Sequence, residues 1–160
     1  AVVRGKARLQ AGQAWQEACG AEIFRIVGIY GPGRNVFKSL YDGSARIIDK
    51  PNHLFNRIHQ SDISQIIMAA MQSPERGRIL NLADMHPASQ ADLFHFAASL
   101  AGLTPPEPIP LEQANLSEMG RSFYTAQRKI RSKILGQTLR YSFTYPDYKA
   151  GLRALFEAGE

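Results

Sequence analysis

Apolar positions along the chain fall into two periods, and the places where the period changes mark the elements. Over residues 3–18, Ala7, Ala11, Ala14, Trp15 and Ala18 recur at helical spacing, and Gly20 follows as a stop. Residues 22–30, EIFRIVGIY, are β-branched and aromatic, which predicts a buried strand closed by Gly31, Pro32 and Gly33. Asn35 is placed to cap a short helix that buries Val36, Phe37, Leu40 and Tyr41. Residues 43–58 read as loop with short extended segments. Asp62 is the expected N-cap of a helix carrying Ile63, Ile66, Ile67, Ala70 and Met71 on one side. Residues 78–83, RILNLA, predict a second strand. Ser89 and Asp92 form a capping-box signature for a helix running to Gly102.

The last third is less regular. Pro105, Pro106, Pro108 and Pro110 predict a stiff connector, followed by a short helix around 111–122. Residues 126–136 are basic and fit either a helix or a strand followed by a helix. Pro146 suits the first turn of a final helix with Tyr148, Leu152, Leu155 and Phe156. The whole reads as an α/β chain with few strands. Two strands make a poor sheet alone, so the pattern anticipates further sheet partners. The 160 residues are read as a single unit.

Composition and charge narrow the classes. A 160-residue chain that is 44% hydrophobic and 21% charged can build a globular core. No apolar run reaches the roughly 18 residues of a membrane span, and residues 1–6 do not open a signal peptide. A single cysteine, Cys19, fits a reducing, cytoplasmic setting. The histidines have no ligand spacing, so no metal site is expected. The net charge of +5 is concentrated in residues 121–160, which hold 8 Lys/Arg against 3 Asp/Glu, centred on Arg128, Lys129, Arg131 and Lys133. Such a patch either attracts phosphates or is a solvated face. Its few aromatics do not point to nucleic acid.

Four stretches, in order, resemble the extended short-chain dehydrogenase/reductases of the NAD-dependent epimerase/dehydratase type. They are FRIVGIYGPG at 24–33, RIHQSDISQII at 57–67, ILNLAD at 79–84 with the helix after it, and residues 133–155. Sugar-nucleotide-epimerase-like members are the nearest match. The resemblance implies the C-terminal portion of a Rossmann-like, doubly wound α/β fold plus a small, mainly helical substrate domain. Residues 1–34 and 58–84 would belong to the Rossmann side, and 35–57 and 85–160 to the substrate side. It also implies that the N-terminal dinucleotide-binding half is absent, since no G-x-G-x-x-G turn occurs. NAD or NADP would serve the parent protein without binding tightly to this chain alone. The expected ligand is a nucleotide or sugar nucleotide.

The resemblance also assigns residues. The family's Tyr-x-x-x-Lys pair falls on Arg4 and Arg8, which share a helix face but cannot act as a base, because guanidinium stays protonated. They either hold an anion or face solvent. Ile26 and Val27 fall at the nicotinamide. Gly28 takes the place of a substrate-facing Asn, or else marks a close approach in the strand. Arg34, Arg57 and His59 are candidate substrate contacts, His59 being alternatively a structural histidine, and Tyr30 is a candidate proton donor or a packing residue. Residues 3–18 are expected to pair copies into a homo-oligomer, through a small-residue stripe beside Trp15. Three functions stay open: an oxidoreductase, epimerase or dehydratase acting on a sugar nucleotide or related carbonyl or alcohol; an inactive nucleotide-binding or scaffolding protein; and a basic interaction module.

Overall fold

The β-branched run at 22–30 does not form one strand. It splits at Val27 into β1 (Ile23–Ile26) and β2 (Gly28–Tyr30), and the two pair with different partners. This is a computed structural model that describes the backbone of residues 2–125 and 129–160, with the side chains of 5–124 and 129–160. The remaining elements are α1 (Val2–Cys19), α2 (Phe37–Tyr41), β3 (Ile47–Asp49), β4 (Arg57–His59), α3 (Gln60–Gln72), β5 (Ile79–Leu82), α4 (Gln90–Ala101), β6 (Pro108–Pro110), α5 (Glu118–Thr125), α6 (Lys133–Gln137) and α7 (Tyr148–Glu157).

All the strand pairs are parallel, as an α/β chain requires when each strand is separated from its partner by a crossover. β1 pairs β5 from Ile23 opposite Ile79 to Ile26 opposite Leu82. β2 pairs β4, with Gly28 opposite Arg57 and Tyr30 opposite His59. At the hand-over, Val27 N–H donates to Leu82 O and Gly28 N–H donates to Asn56 O, both at 3.3 Å. A Cβ at position 28 would sit 3.3 Å from Asn56 O, tighter than most side chains tolerate, so the glycine permits this crossing. The proline connector supplies a strand of a third two-stranded pair. Ile109, between two prolines, forms β6 against β3, opposite Ile48.

Two apolar cores pack around the strand pairs. Ile58, Ile66, Ala70, Leu80, Leu82 and Leu135 form one between the strands, α3 and α6. Phe37, Leu93, Ala97, Leu152 and Leu155 form the other between α2, α4 and α7, with Tyr30 and Tyr148. Each such side chain contributes about 1.5–3 kcal/mol. The Ser89–Asp92 capping box is present, and Gly102 closes α4 at φ 67°. Arg78 joins the lower ends of the strands: it donates to the Glu22 carboxylate at 2.6 Å and to Ala70 O at the end of α3.

Several expectations are corrected. Asp62 does not cap α3. His59 is the N-cap, its Nδ1 accepting the Ser61 N–H, and Asp62 lies fully buried in the first turn. Pro146 precedes the last helix rather than entering it, because Asp147 takes the cap and accepts the Ala150 N–H. Tyr41 and Met71 are exposed, not core. No helix among the described residues is long and apolar enough to cross a membrane.

Gly151 of α7 lies directly on the Tyr30 ring, and a Cβ there would come within 2.1 Å of the Tyr30 hydroxyl. Gly151→Ala is therefore expected to lower the unfolding free energy by about 2 kcal/mol through overpacking. Tyr30→Phe in the same chain, which deletes the closest atom, recovers part of that loss; urea denaturation of the single and double variants measures both.

Candidate functional site

The carboxyl ends of parallel strands are where α/β proteins gather polar side chains, because the following loops open there. Here the pairing of β2 with β4 sets Tyr30 beside His59, with ring centroids 5.2 Å apart and edge to face. Tyr145, from the segment before α7, covers the other side of His59 at 4.0 Å. Tyr30 is buried, and its hydroxyl donates to Asp147 O at 3.3 Å. Burial raises its pKa, and the Asp84, Asp62 and Asp147 carboxylates raise it further. The phenol is thus held protonated. Burial lowers the His59 pKa, with Asp62 opposing, so the imidazole stays neutral near pH 7 and its Nδ1 is free to accept the cap bond.

Asp62 shapes this end. Its Oδ1 accepts from the Tyr141 hydroxyl at 2.6 Å and the Thr144 N–H at 2.8 Å, and its Oδ2 accepts from the Tyr145 N–H at 3.1 Å. One carboxylate therefore fixes residues 141–145 over His59.

Arg57 and Asp84 complete the cluster. The Arg57 guanidinium donates to Phe55 O (3.2 Å), Ala88 O (3.0 Å) and Ser89 O (3.4 Å). Asp84 follows β5, and its backbone N–H donates to Arg57 O at 2.7 Å. Its side chain is 2% exposed, and neither carboxylate oxygen has a hydrogen-bond partner. Burial raises its pKa to about 7. The His86 and Arg57 backbone amides and the Arg57 guanidinium lie close enough to oppose that rise without cancelling it.

Beyond Arg57 lies a cavity of about 280 Å³, between β3, β6 and the start of α4. His53, Phe55 and Tyr124 wall it; His53 stands edge-on to Phe55 at 4.6 Å and is tilted against Tyr124 at 5.3 Å. Lys50 reaches the same wall and donates to Tyr124 O. Among the described residues the salt bridges are those of Arg78, so the Lys50 ammonium has no carboxylate partner there. An aromatic slot lined by one cation, Lys50, and one carboxylate, Asp49, has the shape for a planar ring, with Lys50 the group that can meet an anion on it. A wider cleft of about 480 Å³ is bounded by Gly33, Asn35, Lys38, Tyr41, Asp42 and Glu160; the Glu160 carboxylate accepts from Gly33 N–H and Asn35 Nδ2.

Of the residues predicted from sequence, Tyr30, Arg57 and His59 come together. Gly28 starts the same strand, opposite Arg57. Ile26 is 41% exposed at the end of β1, and Val27 is half-buried. Arg34 is exposed and donates to Ile29 O. Arg8 is exposed on α1, and the Arg4 side chain lies outside the described residues, as does Arg128 of the basic patch. Sequence reasoning missed Asp84, Lys50, His53 and Tyr124. An acid directly after a buried strand, in ILNLAD, was the available signal for Asp84. Nothing local linked His53 to Tyr124.

No protein-family model matches the chain. Protein YeeZ of Escherichia coli (strain K12) is 31% identical over 87 residues, covering 54% of this chain and 30% of that protein. A functionally unknown conserved protein from Silicibacter pomeroyi DSS superposes with a TM-score of 0.92 at 38% identity, over 97% of this chain and 56% of its own. The human epimerase family protein SDR39U1, solved with NADPH, gives 0.69 at 18% identity, over 85% and 48%. A dTDP-glucose 4,6-dehydratase from Bacillus anthracis, in complex with NAD, gives 0.70 at 12% identity, over 92% and 48%. The chain thus has the α/β fold of the Rossmann-type epimerases and dehydratases and spans about half the length of those solved proteins.

Two measurements check the site's energetics. Asp62→Ala strands the Tyr141 hydroxyl and two backbone amides, so it is expected to cost about 3 kcal/mol and to speed hydrogen exchange at Thr144 and Tyr145. Asp84 acts with the opposite sign. Its folded pKa lies above the unfolded value, so its neutral form is favoured in the fold. Stability from this group is full below about pH 4 and is lost as the pH rises to about 7. Denaturation of Asp84→Asn across that range should show a flatter pH slope than the unsubstituted chain.

Proposed function

We propose that this chain is the C-terminal part of an NAD(P)-dependent oxidoreductase, epimerase or dehydratase acting on a sugar nucleotide or related carbonyl or alcohol. The observation that carries this reading is the fold likeness to SDR39U1 with NADPH and to a dTDP-glucose dehydratase with NAD, across 85–92% of the chain. The aromatic cavity supports it, having the size for a nucleobase-like ring and Lys50 for an adjoining anion. In this reading Gly28, Arg34 and His59 lie on the substrate side, Arg57 holds the cavity wall, and Tyr30 is the proton donor. Ile26 and Val27 would offer backbone to the nicotinamide.

The described residues do not fit the cofactor's pyrophosphate. The Gly31–Gly33 loop opens onto α2, only five residues long, and its Gly33 amide is bonded to Glu160. In this reading the phosphates are held by a dinucleotide-binding half working with this chain, so no chemical step is assigned through the cofactor. The same reading gives α1 a partner copy. Leu9 is 47% and Trp15 64% exposed on a helix held to the body by Gly12 on Ile23 and Gln16 on Gly77 O.

Titration of the chain with UDP or dTDP, followed by NMR, is expected to shift Phe55, Tyr124 and Lys50 resonances saturably in the millimolar to high-micromolar range. Absence of any saturable shift at these residues would overturn the reading. NAD or NADP titrated alone should bind no tighter than about 100 μM, whereas micromolar affinity would contradict the division of labour. Sedimentation across a concentration series should show a dimer that Trp15→Glu converts to monomer.

A further inference from the structure

Asp84 and Arg57 together are not explained by folding alone. A buried carboxylate next to a guanidinium ordinarily makes an ion pair, since an isolated charge in a dry interior is costly. Here the two residues adjoin through the Asp84 N–H bond to Arg57 O, yet the guanidinium is spent on the carbonyls of Phe55, Ala88 and Ser89. Both Asp84 oxygens are left without a partner. That division is stable only while Asp84 is neutral. Phe55 and Ser89 line the aromatic cavity, and Phe55 pairs with Ala88 by a two-way backbone bridge. The guanidinium is therefore a further tie on the cavity wall, added to the Phe55–Ala88 bridge and the Ser89–Asp92 capping box.

We propose that Asp84 is a protonation switch for that wall, acting through Arg57. As the neutral acid it leaves the guanidinium on the three carbonyls. As the carboxylate it draws the guanidinium onto itself, removes its bonds from the Phe55, Ala88 and Ser89 carbonyls, and leaves the wall held by the Phe55–Ala88 bridge and the capping box alone. No bond to carbon changes; one proton leaves to solvent and one set of hydrogen bonds is exchanged for another.

Groups from every packed element bear on the carboxyl or on Arg57. Tyr30 of β2, Arg57 of β4, and His86 of the loop after β5 act on it directly. Asp92 of α4 and Tyr148 of α7 act on the guanidinium, and Asp62 of α3 and Asp147 before α7 act on Tyr30. His59 of β4 packs on Tyr30. The Tyr30 hydroxyl is held protonated and contributes no charge. The balance leaves burial as the dominant influence, and the transition falls near pH 7, where a cell's ordinary pH range can move it.

The switch deepens the nucleotide reading of the cavity, but its test needs no ligand. Carbon-13 NMR of the full chain from pH 5 to 9 should show the Asp84 carboxyl titrating near neutrality. The Arg57 Nη–H, Phe55 and Ser89 signals should move with the same midpoint. In Asp84→Asn those wall signals should stay at their low-pH positions, and in His86→Gln they should still titrate together with the Asp84 carboxyl, at a midpoint no lower than before. An Asp84 carboxyl that ionises below pH 5 overturns the proposal, as do wall signals that titrate alike in Asp84→Asn and the unsubstituted chain. The carboxyl titration of the unsubstituted chain decides the matter even if the Asn variant fails to fold. A cavity that takes no nucleotide at any pH, while the wall still titrates with Asp84, overturns the nucleotide reading and leaves the switch standing. Where UDP binds, its affinity should fall from pH 6 to pH 8 by about tenfold more in the unsubstituted chain than in Asp84→Asn, the variant reporting the ionisation of the UDP phosphate itself.

Discussion

The Asp62 carboxylate joins the two halves of this chain. Residues 141–145 are 79 to 83 positions away in sequence, and closing a loop of that length costs chain entropy that local contacts cannot return. Asp62 meets the cost with three hydrogen bonds to one fully buried carboxyl group. With that segment fixed, Tyr145 lies on His59, Asp147 is in place to cap α7, and α7 brings Gly151 against Tyr30. The second apolar core, between α2, α4 and α7, depends on this placement, because Leu152 and Leu155 enter it from α7.

The strand break at Val27 is the complementary constraint. A continuous strand at 22–30 would keep one partner, and Tyr30 would then end beside β5. By passing from β5 to β4, the chain puts Tyr30 opposite His59 and brings the ends of β2, β4 and β5 to one place. Gly28 permits the crossing because Asn56 O lies where a Cβ would be. The family resemblance reads the same glycine as the loss of a substrate-facing Asn. The two readings are compatible, since a residue chosen for close backbone approach has no side chain with which to reach a ligand.

Local physics made much of the fold legible in the sequence. The Ser89–Asp92 box, the Gly102 stop and the α1 spacing depend on neighbours within a few residues, and each reads correctly. Asp62 misled because an acid ahead of an apolar run matches a cap signature, while its true partners are far away in sequence. His59 took the cap instead, a role the Ser/Thr/Asp/Asn preference does not anticipate. The β6 strand was hidden because prolines lack the N–H of a ladder; it forms at the edge, where one Ile between two prolines is enough. At the site, Tyr30, Arg57 and His59 were visible through a resemblance carried by short motifs. Asp84 was signalled only by an acid following the ILNLA run, and Lys50, His53 and Tyr124 depend on tertiary proximity alone.

What remains is the question of why an acid is kept in a place so poor for its charge. The Asp84 oxygens are excluded from water, the adjacent cation is committed to three carbonyls, and the nearest phenol donates elsewhere. Asn or Ser could serve a purely structural role there with less electrostatic cost, since a neutral group loses less on burial than a carboxylate. A carboxyl differs from both in that its charge is conditional. Conditional charge matters only if something nearby responds to it, and Arg57 is suited to respond: its planar fork can bond carbonyls or a carboxylate with little change in the side chain's path. The cluster at the strand ends is thus two arrangements of the same donors, separated by one proton, with the cavity wall attached to one of them.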